Sequence, residues 1–294
     1  MDAYADRLEA AITSKSSPLC VGLDPRLDKL PADVRAAAGG DPGKALLRFG
    51  LEVLDLVAPH AACVKPNLGF FEAFGLGGLA AYAGIVAGAR TRGLLVIGDG
   101  KRGDLSTTAE AYAQAHLAPG GDFEVDALTV APYMGADSLA PFVEVAAAHG
   151  KGLYVLVRTS NPGAADLQDL DVGGARVYER TAAMVRAVGE RHRGRSGLSC
   201  VGAVVGATWP EQLRALRAAL PTTPFLVPGY GAQGATAADT AAAHLAGGRG
   251  AVVNASRSVT FPTPKDPTTP WRAAVEAAAR AAKEELDAAR RRVV

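Results

Sequence analysis

Gly98-Asp99-Gly100-Lys101-Arg102-Gly103-Asp104-Leu105-Ser106-Thr107-Thr108 follows an apolar run at 94–97 and precedes a helix-like run at 109–113. Residues two apart in a strand share a face, so Asp99 and Lys101 project together, with Asp104 one short loop further on. Two carboxylates bracketing an ammonium at a strand end are costly to hold unless the charges are used. The stretch reads as one β/α repeat whose strand ends in chemistry, and the rest of the chain extends the pattern.

The chain has 294 residues, enough for one large α/β domain or two small ones. Hydrophobic residues make up 49% and charged residues 21%, which suits a globular protein with a sizeable core. A formal net charge of +1 argues against a general nucleic-acid or polyanion binder but leaves room for a local basic pocket. Residues 1–10 carry acids and lack an apolar core, so no secretory signal is expected. The longest uncharged run, 73–89, is Gly-rich and short for a membrane span, and is expected as a buried helix. Cys20, Cys63 and Cys200 lie in apolar strand-like runs with no CxxC spacing, which points to reduced core residues in a cytoplasmic protein. The five histidines are scattered, with His60 and His149 where helices end, and none forms a zinc motif. The Arg290-Arg291-Arg292 run is too short for a nucleic-acid element and reads as a solvated helix end.

In chain order, a short amphipathic helix at 2–13 leads to a strand at 19–24, a Pro/Gly-rich connection at 25–43 and a helix at 44–57. A strand at 61–65 is stopped by Pro66, and a helix from about 76 to 92 leads to the opening stretch as third strand. Strands then fall at 127–130, 153–157, 199–205, 225–228 and 251–254, alternating with helices at 137–148, 177–191, 209–219 and 237–246. An Ala-rich helix begins at Trp271. Eight β/α pairs with continuous apolar strands match a parallel sheet, and this length suits a single (β/α)8 TIM barrel domain over 1–294. A doubly wound open sheet remains the alternative, because strand count alone cannot close a barrel.

Asp24, Lys65, Asp99 and Lys101 all fall at the C-terminal ends of the first three strands, the rim that carries barrel active sites. Later, Gly229-Tyr230-Gly231-Ala232-Gln233-Gly234 matches GxGxxG. A dinucleotide site also wants an acid at the end of the next strand, where this chain has Asn254. The motif therefore reads better as a phosphate grip after strands seven and eight, with Arg257 adding a forked guanidinium.

These residues resemble the orotidine 5′-phosphate decarboxylase family, in particular its bacterial type 2 branch, whose signature is similar to D-x-K-R-x-D-[IL]-x-x-T. Residues 99–108 carry that signature, with Leu105 and Ser106 where isoleucine and glycine are common. The resemblance continues through Val21-Gly22-Leu23-Asp24, Val64-Lys65-Pro66-Asn67, Thr159-Ser160-Asn161, residues 228–234 and Ser256-Arg257-Ser258. It implies a cofactor-free conversion of orotidine 5′-phosphate to UMP and CO2 in pyrimidine synthesis. By the same resemblance Lys65, Asp99, Lys101 and Asp104 form a catalytic charge network, with Lys101 as proton donor to pyrimidine C6. Asp24 and Lys65 contact ribose with Thr108 nearby, Ser160 contacts the pyrimidine, Gln233 and Arg257 match the phosphate end, and Pro228 is a further substrate-binding residue. It also implies a homodimer in which Asp104 and Thr108 complete the neighbour's pocket.

Three rivals compete with this expectation. A sugar-phosphate barrel such as a keto-gulonate-phosphate decarboxylase or hexulose-phosphate synthase shares D-x-K but needs Mg2+ and a further acid, whereas the second strand ends in Lys65. A Schiff-base aldolase wants a lysine in an apolar pocket, away from the acids expected beside Lys65 and Lys101. A catalytically silent nucleotide-binding barrel is disfavoured by the intact set of ions.

Overall fold

The computed structural model describes residues 2–293. Its eight strands are β1 (Leu19–Leu23), β2 (Cys63–Pro66), β3 (Leu95–Arg102), β4 (Ala127–Val130), β5 (Gly152–Arg158), β6 (Val201–Val205), β7 (Phe225–Val227) and β8 (Ala251–Ala255). All pair in parallel in chain order, and β1 pairs with β8 through Leu19 opposite Val253, so the sheet is a closed barrel. The open-sheet alternative is thereby excluded.

The strands read as unbroken apolar runs because both their faces are buried. Cys20, Cys63, Ile97, Ala127, Tyr154, Val204, Leu226 and Val252 pack inside the barrel. Their neighbours, among them Val21, Val64, Val96, Leu128, Val155 and Val253, pack outwards beneath the helices. All three cysteines are buried and free. The helices form by the same rule of burial. Pro42–Val57 repeats its buried residues Leu46, Phe49, Val53, Leu54 and Val57 at helical spacing. Asp41 caps it by accepting from Lys44 N at 3.1 Å, a contact whose loss in Asp41→Ala costs about 1 kcal/mol.

The N-terminal helix, Tyr4–Lys15, plugs the end of the barrel where the strands begin. Tyr4, Leu8 and Ile12 meet the interior residues, and the Tyr4 hydroxyl donates to Tyr154. Polar contacts around the plug tie distant segments together: Arg7 pairs with Asp126, Glu9 accepts from Gly250 N, and Asp6 accepts from the backbone of Arg195 and Ser196.

Several local expectations are corrected. The third strand runs to Arg102 and so carries Asp99 and Lys101 as expected, but it passes the barrel rim with a register shift against β4 that the regular spacing does not show. The connection at 25–43 contains a 3-10 turn, Leu27–Lys29, and a short helix, Ala32–Ala37. The helix expected as buried, Gly75–Thr91, buries only one side, and Leu76 is almost fully exposed. At the C-terminus Arg290 is not a solvated end. It is buried, pairs with Asp287 and donates to Gly248 O.

Candidate active site

Inward-pointing positions of the strands continue, two residues on, into the rim. Ile97 is followed by Asp99, Cys63 by Lys65, Cys20 by Gly22 and then Asp24, Ala127 by Thr129 and Val252 by Asn254. Strand alternation thus converts an apolar interior layer into a polar layer directly above it. That polar layer and the loops beyond enclose a cavity of about 640 Å³, with Leu156, Val204 and Leu226 also in its wall. Asp24, Lys65, Asp99, Lys101, Ser160, Pro228, Gln233 and Arg257 all line it.

Its centre is an ion array. Asp99, only 7% exposed, receives Lys65 Nζ at 2.5 Å on one oxygen and Lys101 Nζ at 2.6 Å on the other. Thr129 Oγ1 donates to the same carboxylate at 3.0 Å and accepts from Lys101 N at 2.9 Å. Lys101 has a φ of 45°, a left-handed conformation rare outside glycine. Its convergence with Asp99 is therefore not plain strand alternation, as the spacing suggests, but a bulged strand end pinned by Thr129. Burial opposes ionisation of Asp99, but the two ammonium groups outweigh it and hold the carboxyl far below the usual range. Burial likewise opposes the charge on Lys65, and Asp99 followed by Asp24 outweighs it and holds the ammonium well above the ordinary lysine range. Both stay charged at neutral pH. Lys101 differs in being half-exposed, so its ammonium faces the cavity.

The far side of the cavity carries a glycine-rich turn and an arginine. Gly229 and Gly231 adopt φ of 110° and 72°, which only glycine holds without strain, and this lets Ala232 and Gln233 turn into the cavity wall. Arg257 is exposed there and has no ion-pair partner among the described residues. Asp24 carries a buried oxygen, Oδ1, without a hydrogen-bond partner.

Asp104 and Thr108 are not in the cavity wall of their own chain. The Asp104 carboxylate accepts from Leu105 N at 2.8 Å, Thr108 is exposed, and Leu105 between them is exposed as well. Thr129, Asn67 and Asn254 belong to the wall as well; the sequence gives Asn67 and Asn254 no role in the site and leaves Thr129 unmarked. The one signal for Thr129 is a hydroxyl inside an otherwise apolar strand. A second, more open cavity of about 870 Å³ adjoins the first beside Asn67 and Phe70, but its wall holds no comparable ion array. Among the described residues no group of three His, Cys, Asp or Glu side chains converges as metal ligands would. No described helix is long and apolar enough to cross a membrane.

Comparison with known proteins identifies the family of the chain. The chain is 46% identical over 272 residues, 89% of either sequence, to a protein of Rhodopirellula baltica named orotidine 5′-phosphate decarboxylase. It is 47% identical over 259 residues to one of the same name from Deinococcus radiodurans, covering 88% of this chain and 89% of that one. The solved structure of Leishmania donovani OMP decarboxylase superposes with a TM-score of 0.76 at 35% identity, covering 99% of both chains. The family model described as orotidine 5′-phosphate decarboxylase / HUMPS matches residues 17–274. With that match spanning most of the barrel, the chain belongs to the orotidine 5′-phosphate decarboxylase / HUMPS family.

Proposed function

We propose that this chain decarboxylates orotidine 5′-phosphate to UMP and CO2, the closing step of pyrimidine nucleotide synthesis, without a cofactor. The observation that carries this reading is the Lys65–Asp99–Lys101 array at the base of a cavity whose opposite wall suits a phosphate. Loss of CO2 leaves a pair of electrons on pyrimidine C6. The Lys101 ammonium, fixed by Asp99 and facing the cavity, stabilises that charge and then gives C6 its proton. Donors fixed in advance where charge develops are usually the largest contribution to rate. Asp99 stays ionised next to the substrate carboxylate, and the repulsion between them is relieved as CO2 departs.

The remaining contacts follow from unsatisfied groups. The ribose hydroxyls donate to Asp24, whose buried Oδ1 has no partner, and lie near Lys65. Ser160 meets the pyrimidine, Gln233 and Arg257 hold the phosphate end, and Pro228 contributes to substrate binding beside them. Binding energy from the remote phosphate is thereby available at the reacting carbon. Within the family, a metal-dependent sugar-phosphate chemistry would need an acid at the end of β2, and this chain has an ammonium there, 2.5 Å from Asp99.

The catalytic unit is a homodimer in which Asp104 and Thr108 complete the neighbour's site. Support comes from their position outside their own cavity and from the exposed Leu105 between them. The chain acts as one barrel domain, since the first and last helices both pack on the same barrel. Three buried free thiols fit the reducing cytoplasm.

The test is the ultraviolet absorbance change of orotidine 5′-phosphate on incubation with the protein, run with and without EDTA. Turnover that chelator leaves intact is the expected result. No turnover, or turnover abolished by EDTA and restored by Mg2+, refutes the proposal.

A further inference from the structure

Arg158, the last residue of β5, is the largest fully buried side chain among the described residues. A register shift between Leu156 and Arg158 takes it out of the alternation that would aim it into the barrel, and it does not line the cavity. Burying a guanidinium is costly unless each of its donors is met. Here Nε donates to Gln212 Oε1 at 2.9 Å, Nη2 to Asp169 Oδ2 at 3.0 Å, and Nη1 to Gln168 Oε1 at 3.3 Å. The guanidinium also lies 5.0 Å from the centroid of the Trp209 ring and 5.8 Å from that of Tyr178.

Barrel closure does not require this charge, since β4, β6 and β7 end in valine. What the cluster does hold is the backbone leading to Ser160. Gln168, fixed by Arg158, accepts from Thr159 N at 2.9 Å and donates to Thr159 Oγ1 at 2.8 Å. Thr159 Oγ1 in turn donates to Asn161 Oδ1 at 2.7 Å, so the residues on both sides of Ser160 are held. On its far side Ser160 rests on Gly206, where a Cβ would lie 3.0 Å from its Cα and Cβ, and its carbonyl accepts from Thr208. Ser160 itself faces the cavity.

We infer that Arg158 is a positioning residue for base recognition: through Gln168 and Thr159 it sets where Ser160 meets the pyrimidine ring. This rests on the nucleotide reading of the cavity given above. It assigns Arg158 an effect on ligands that carry a base and none on those that carry only sugar and phosphate.

The experiment measures binding of UMP and of ribose 5-phosphate by calorimetry to wild type, Arg158→Met, Ser160→Ala and the double variant. Gln168→Ala serves as a second probe that leaves the buried Arg158–Asp169 pair in place. Arg158→Met and Gln168→Ala are each expected to weaken UMP about tenfold, the size of one lost hydrogen bond. Ribose 5-phosphate should stay within about twofold, as for a change remote from its contacts. Ser160→Ala should weaken UMP in the wild-type background and add little once Arg158 is gone, because the two then act as one unit. Equal weakening of both ligands, or Ser160→Ala losses that multiply undiminished with those of Arg158→Met, would overturn the assignment. If Gln168→Ala leaves UMP binding unchanged, the route through Gln168 is wrong. Wild type that binds UMP yet fails to turn over orotidine 5′-phosphate would refute the decarboxylase reading alone.

Discussion

Replacing Asp99 by alanine should destabilise the whole protein, and the size of the effect follows from the site. The substitution removes the carboxylate that Lys65 donates to, while the Lys65 side chain is only 8% exposed. Stranding one partner of a buried ion pair costs about 3–5 kcal/mol. Lys101, half-exposed, can turn to water and adds little to that figure. At about 2.1 cal/mol/K per residue, 294 residues give an unfolding entropy near 0.6 kcal/mol/K, so the melting temperature should fall by about 5–8 °C. Adding Lys65→Met to Asp99→Ala removes the stranded charge and fills its space with an apolar chain of similar length. Most of the loss should then return. Thermal unfolding by circular dichroism at pH 7 makes the comparison without any appeal to activity, which every one of these variants should lose. A fall below about 2 °C for Asp99→Ala, or a double variant that melts no higher than the single one, would show that the ion pair does not offset a large burial penalty.

The same pair predicts a pH profile. Asp99 is depressed in the folded state, so its contribution is full above the ordinary carboxylate value of about 4 and is lost as pH falls from there. Lys65 is raised, so its contribution is full below about 10.4 and is lost as pH rises through the folded value; melting temperatures of wild type minus Lys65→Met should therefore decline above about pH 10, and a flat difference would contradict this. Arg257→Ala should cut kcat/KM for orotidine 5′-phosphate by roughly 10- to 100-fold, as for a lost charge-assisted contact, while orotidine without its phosphate is affected much less. Equal losses on both substrates would remove Arg257 from the phosphate grip. Asp104→Ala and Lys101→Ala proteins, each nearly inactive, should regain about a quarter of wild-type activity when mixed and allowed to exchange. Half of the dimers are then mixed, each with one intact site of two. An exchanged mixture that stays inactive would place both residues in the same chain's site.

The sequence makes the barrel readable because burial on both faces leaves the strands as apolar runs, and the rim ions stand out where those runs stop. Lys65, Asp99 and Lys101 are legible for that reason. What it hides are features that depend on departures from regular geometry. The bulge that gives Lys101 a positive φ, and so brings its ammonium to Asp99, has no signature in a pattern of period two. Thr129 is disguised by three apolar neighbours in β4, although it is the group that meets both Asp99 and the Lys101 backbone. Arg158 is harder still. At a strand end it looks like one more rim charge, and only the register shift in β5 reveals that it is turned away from the cavity and enclosed. Arg290 fails in the opposite direction, since three consecutive arginines suggest solvent and the first of them is buried against residue 248.

The plug formed by Tyr4–Lys15 has a consequence for biosynthesis. This helix leaves the ribosome before the strands of the barrel, yet its partners include Asp126, Tyr154, Arg195 and Gly250, the last reached through Glu9 across 241 positions of chain. Contacts so distant in sequence form late, after their loop-closure entropy has been met. While translation proceeds, Leu8 and Ile12 remain an uncovered apolar stripe, the kind of surface on which nascent chains associate or recruit chaperones. A segment made before the strands of the barrel is thus fully secured only once residues as late as Gly250 are in place.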